Sequence, residues 1–216
     1  MKSSKLFFAA TAGFLLTAAV QAARIDFNDP RRALGREDDI RIDAQLLQDT
    51  ISANSAITVT YQIENLSKST VAIADKESDV SYDYETRTVT LSIGAEVPTG
   101  TAMPRLSLIR PGEKRVFAAG GTVHVILPQT RSPWTAVPQF VQIKVNVLKD
   151  VAPFTELIAL QQRSPVSLTL PNEMFDTWVN SVDAVFLNAI PVRWNAAPSP
   201  MAAADASHRA PGTGRF

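Results

Sequence analysis

Residues Tyr61–Ile73 read YQIENLSKSTVAI. Tyr61 and Ile63 alternate with Gln62 and Glu64, continuing a run in which Ile57 and Val59 alternate with Thr58 and Thr60. A period of two in β-branched and aromatic residues predicts a half-buried strand. Val71 and Ile73 resume an apolar face after Asn65-Leu66-Ser67-Lys68-Ser69. Asn and Ser side chains bond their own backbone where a chain reverses, so the stretch reads as strand, turn, strand. Asn65-Leu66-Ser67 also matches a glycosylation acceptor, which has meaning only in a secretory pathway that modifies such sites.

The same period recurs on both sides. Ile40, Ile42, Ala44 and Leu46 alternate with Arg41, Asp43 and Gln45. Val80, Tyr82 and Tyr84 lead through Glu85-Thr86-Arg87-Thr88 to Val89, Leu91 and Ile93, a predicted hairpin. Leu106 to Ile109 precedes Arg110-Pro111-Gly112-Glu113, where Pro and Gly stand as a type II turn requires. Val116 and Phe117 are separated from Val123, Val125 and Leu127 by Gly120-Gly121, which predicts a bend or bulge. Val141, Ile143, Val145 and Val147 close the series. Turns recur at roughly 8 to 12 residues, the spacing of a β-sandwich. The expected fold is mainly β: an antiparallel Ig-like sandwich of about seven to eight strands over residues 39–150.

Outside that region the chain changes character. Lys2 and Lys5 precede an apolar run from Leu6 to Val20, and Val20-Gln21-Ala22 supplies small residues for cleavage. Residues 1–22 read as a bacterial-type secretory signal peptide, which predicts a periplasmic or secreted protein with no membrane span after cleavage. Residues 23–38 mix charges around Pro30 and Gly35 and read as a surface-hugging or mobile leader. In residues 151–194, Val166 to Leu170 alternates, and Met174, Phe175, Trp178, Val179, Val182, Val185 and Phe186 fall at helical spacing. They predict a strand-helix-strand extension with a helix over about 172–187, capped by Asn172. Residues 195–216 are rich in Ala, Pro, Gly and Ser and read as a disordered tail.

Composition narrows the chemistry. There is no Cys, so thiolate chemistry, disulfides and a lipid-modified cysteine are excluded. Without Lys2 and Lys5, nineteen basic residues face twenty-one acidic ones, and no basic stripe marks a nucleic-acid partner. Of two histidines, His124 takes the outward phase of a strand and His208 lies in the tail, so neither a metal cluster nor a Ser/His/Asp triad is legible. No cofactor motif occurs. Asp75, Glu77 and Asp79 take the alternating positions of a calcium loop, a candidate weak cation site. Val80 and Thr86 stand where such a loop needs Gly and Glu, so a solvated acidic edge is the favoured reading. With Asp83 and Glu85, these carboxylates also carry the alternative reading of a carbohydrate-active or other hydrolase. Trp134, between Pro133 and Pro138, is a candidate partner-binding anchor whose bland counterpart is a plug over the sandwich end.

ITVTYQIENLSKSTVAI followed by LSLIRPGEKRVF resembles the Ig-like sandwiches of bacterial exported proteins and, loosely, the bacterial intracellular proteinase inhibitor family. In those domains an alternating strand ends in an Asn-plus-small-polar turn, and a Pro-Gly-Glu turn precedes the next strand. The resemblance spans about residues 40–149 and implies the fold; protease inhibition through the Trp134 loop enters as a further alternative. The expectation is a non-enzymatic interaction module, an assembly or accessory factor whose partner is another periplasmic or envelope protein.

Overall fold

A computed structural model describes residues 28–98, 102–124, 137–163 and 167–195. The expected signal segment, residues 196–216 of the expected tail, Trp134 and His208 lie outside them. In chain order the strands are β1 (Arg32–Glu37), β2 (Ile40–Leu46), β3 (Thr50–Ile51), β4 (Ala56–Asn65), β5 (Val71–Ile73), β6 (Ser78–Asp83) and β7 (Thr88–Ile93). They continue as β8 (Ser107–Ile109), β9 (Lys114–Thr122) and β10 (Phe140–Leu148). Helices α1 (Thr155–Arg163) and α2 (Phe175–Ser181) precede β11 (Val182–Phe186), β12 (Ile190–Pro191) and β13 (Arg193–Trp194).

A four-stranded sheet has the order β1-β2-β4-β9, antiparallel throughout. The second sheet is built on β10. Phe140 to Val145 pair with β7, while Lys144 to Leu148 pair with β11 and Phe140 and Val141 with β12. Leu148 also pairs with Ala72 of β5, and because Val182 occupies its other edge, β5 follows β7 along one side of β10. β6 and β8 flank β7 and β5 on that side. β3 and β13 form a small separate pair.

The alternation in sequence becomes the core. Ile57, Val59, Tyr61 and Ile63 from one sheet and Val89, Leu91, Ile93, Val141, Ile143 and Val145 from the other are fully buried in one cluster. Burying such a side chain stabilises by about 1.5–3 kcal/mol relative to leaving it exposed. A second, smaller core lies on the outward side of β10, where Leu148 and Ala72 meet Phe154, Ile158 and Trp178. Phe154 and Trp178 pack edge to face at 5.4 Å, and the Trp178 indole N–H donates to the Ala95 carbonyl at 3.3 Å. The helical pair therefore docks on the sheet.

Several expectations are corrected. Arg32–Glu37, read as leader, is a strand: Ala33 is buried, and Arg32 reaches the buried Asp43 carboxylate at 3.1 Å. The sheets are not purely antiparallel, since β7 and β10 run parallel. The chain between them passes through β8 and then β9 in the opposite sheet before returning. Gly120-Gly121 makes no bulge; β9 pairs one to one with β4 from Lys114 to Thr122. The C-terminal helix is short, because Val182–Phe186 pairs with β10 instead of extending it. Asn172 does not cap by its side chain; its carbonyl accepts the Phe175 N–H as a 3-10 turn passes into α2. No helix of the described residues is long and apolar enough to cross a membrane.

Candidate functional site

The two motifs that carried the fold reading meet in space. Asn65, fully buried, accepts from the Ser67 N–H at 3.0 Å and the Ser67 hydroxyl at 2.7 Å through Oδ1. Its Nδ2 donates to the carbonyls of Ser69 at 2.8 Å and Ile109 at 3.0 Å. Its backbone N–H donates to the Glu113 carbonyl, and its own carbonyl accepts from Gly112 at 2.7 Å. Gly112 holds φ +72°, and the Glu113 N–H returns to the Arg110 carbonyl at 3.0 Å, as the type II turn demands. With both amide hydrogens committed, Asn65 is a structural tie, and glycosylation there, which replaces one of those hydrogens, would break at least one of the two bonds.

This tie positions an open groove of about 780 Å³ between β8 and the start of β9. Ser107 and Leu108 line one side, Arg110, Glu113 and Arg115 the other, with Thr70 and Gln162 also reaching it. Arg115 spans the gap: its Nη1 donates to the Leu108 carbonyl at 2.7 Å while its guanidinium lies 5.2 Å from the Phe117 ring centre. Glu113 lies 3.8 Å from Arg115 Nε and accepts the Arg110 N–H at 2.8 Å. Arg110 is exposed and has no ion-pair partner among the described residues. The outer edge of β8 has no strand partner among the described residues.

Two other edges carry hydrogen bonds from outside their sheet. At β1 the Leu34 N–H donates to the Asn188 Oδ1 at 2.6 Å, and the Asn188 N–H donates to the Leu34 carbonyl at 3.0 Å. Gly35 permits this, since a Cβ there would stand 2.8 Å from the Phe186 carbonyl. At the far end of β9 the Ser78 hydroxyl donates to the Gly120 carbonyl at 2.7 Å.

The residues singled out in the sequence are dispersed. Asp75 turns toward β8, accepting from the Ser107 hydroxyl at 2.7 Å and pairing with Lys76 at 3.2 Å. Glu77 and Asp79 line a different groove. Asp83 closes the β6–β7 hairpin through the Glu85 N–H and the Thr86 hydroxyl, bonds that hold its carboxyl below the usual range, the Thr86 bond foremost. Among the described residues no group of three His, Cys, Asp or Glu side chains is placed to hold a metal ion. His124 is exposed beyond the buried Val123, but both lie past the end of β9 and not in the strand expected there. Trp134 lies outside the described residues.

Sequence reading missed Gln161, which is buried in α1. Its Nε2 donates to the Pro104 carbonyl at 2.9 Å and its Oε1 accepts from Leu106, fixing the approach to β8. A lone Gln on a helix gives no signal of such a role. No family model, curated protein or solved structure matches the chain.

Proposed function

We propose that the protein is an exported, non-enzymatic Ig-like β-sandwich that works by protein contact. It takes an extended segment of a periplasmic or envelope partner along the outer edge of β8. The observation that supports this reading is that β8, paired on one side with β5, has no strand partner among the described residues on the side that faces a groove, where the side chain of Arg115 holds the Leu108 carbonyl, whereas the edge of β1 is taken by Asn188 through backbone and side chain together. An unpaired edge offers main-chain groups to an added strand, and the flanking pocket supplies side-chain selectivity. β8 is only three residues long, so main-chain pairing is brief and Arg110 adds an anchor for an acidic side chain. The Ig-like reading is supported by two sheets sharing one core and by the Asn65 and Gly112 turns bonding each other.

The test places a photo-crosslinking residue at Arg110 or Gln162 on the groove, or at Leu34 on the covered edge, in the full chain in its native envelope. The reading expects a discrete crosslinked species from positions 110 and 162 and none from 34. Identical products from all three positions, or none from the groove, overturn it. Mass spectrometry of the same material reads the export step, with cleavage after Ala22 expected.

A further inference from the structure

In a strand, the N–H and carbonyl of one residue point to the same edge, and the edge alternates from residue to residue. Leu108 gives its carbonyl to Arg115 on the open side of β8, so Leu106 and Arg110 share that phase. Each of the three is met by a side chain. The Leu106 N–H donates to Gln161 Oε1 at 3.3 Å, the Leu108 carbonyl accepts from Arg115 Nη1 at 2.7 Å, and the Arg110 N–H donates to Glu113 Oε2 at 2.8 Å. These three occupants are not equally fixed. Gln161 is buried and also donates to the Pro104 carbonyl. Glu113 belongs to the Pro111-Gly112 turn, its N–H returning to the Arg110 carbonyl. The Arg115 side chain is 38% exposed, holds Leu108 through one nitrogen, and comes no closer to the Glu113 carboxylate than 3.8 Å. Arg115 is therefore the occupant open to displacement.

We propose that Arg115 is a latch on the β8 edge, released by an extended segment that brings an acidic side chain to it. This rests on the β8 edge being the docking site. An added strand needs the Leu108 carbonyl as acceptor for its own N–H, and Arg115 sits on that carbonyl. Once displaced, the guanidinium loses a charge-assisted bond, and a neutral segment offers nothing in exchange. A carboxylate on the segment takes the guanidinium fork in two bonds and so replaces the one given up. Arg115 lines the groove in which such a segment lies, and the Phe117 ring, 5.2 Å away, keeps the guanidinium beside the edge after release. Arg110 attracts the same carboxylate, but its side chain holds no β8 backbone group among the described residues, so the gating falls to Arg115.

The test titrates short acetylated Ser/Val/Thr peptides into the isotope-labelled full chain and follows amide NMR. Each peptide carries a single Glu, moved from position to position, and has a Gln counterpart. The best Glu peptide is expected to shift the Leu108 amide saturably and to bind about tenfold tighter than its counterpart. Arg115→Met keeps an apolar stem without a donor. It is expected to bind the Gln peptide more tightly than the native chain does and to lose the preference for Glu, with Arg110 still in place. Arg115→Lys keeps the charge but not the fork, so it narrows the preference without abolishing it, and it carries the test if Arg115→Met does not fold. Equal binding of Glu and Gln peptides by the native chain, or an undiminished preference in the variants, overturns the latch and leaves the β8 docking site standing. Unmoved Leu108 signals with every peptide overturn both.

Discussion

The two ends of β9 face the opposite sheet differently. At one end Gly121 has no side chain, and Val80 of β6 comes so close that a Cβ would lie 2.5 Å from its Cγ2. At the other end Arg115 occupies the same inward phase and bridges to the opposite sheet, its guanidinium donating to the Leu108 carbonyl beside the open groove. Glycine lets the sheet edges touch at one end, and a long side chain bridges them at the other. Whether a sheet edge is protected thus depends on side-chain bulk as well as on strand length or charge. The open end still needs fixed walls, and Asn65 supplies them by bonding both the Ile109 carbonyl and the Gly112 turn.

The largest effect is expected from removing those walls. Asn65→Ala strips partners from the Ser67 N–H and the Ile109 carbonyl and should destabilise by about 3 kcal/mol in chemical denaturation. A loss of under about 1 kcal/mol would mean that water replaces the amide and that the tie is dispensable. Next in size, Gly121→Leu forces a side chain against Val80 and should cost about 2 kcal/mol. Hydrogen exchange should then quicken in β6 and stay unchanged in β8; equal quickening in both would erase the distinction between the ends.

The smallest effect concerns Lys149, which joins Asp38 at 2.6 Å and Asp183 on β11, away from both ends. Its bond with Asp183, then that with Asp38, raises the Lys149 pKa, while Lys149 holds the Asp38 carboxyl below its ordinary value of 3.8. For Asp38 the folded pKa lies below the unfolded one. Its contribution is therefore full above 3.8 and is lost as pH falls through the lowered folded value. Lys149 behaves oppositely: its contribution is full below 10.5 and lost as pH rises through the raised folded value. Asp38→Asn should flatten the acid limb of a stability profile and leave the neutral difference between the ends of β9 untouched. A steeper acid limb in that variant would contradict the pairing.

The main strands were legible because β4, β7 and β10 each keep one face against the shared core, and a strict period of two records it. The Pro111-Gly112 turn was legible because its chemistry is local. β1 was not, since only Ala33 of its six residues is buried and its place depends on Asp43 and Asn188 elsewhere in the chain. Val182–Phe186 was misread as helix because Val182, Val185 and Phe186 satisfy helical spacing, and only the open edge of β10 decides for strand. α1 escaped reading because its buried residues, Ile158 and Gln161, include a polar one. The groove itself was illegible: Asn65 and Ile109 lie 44 residues apart, and no local pattern encodes their hydrogen bond.

β10 also sets a timetable. Its edges are completed by β7, reached only after an excursion through the other sheet, and by β11 and β12, made from residues 182–191. Pairings of such long sequence separation form slowly, because loop closure must precede any gain from contact. A nascent chain emerging from the N-terminus onward therefore cannot finish its larger sheet until most of it has been synthesised. Were the chain exported unfolded, as proposed above, that delay would keep the polypeptide threadable for as long as threading takes.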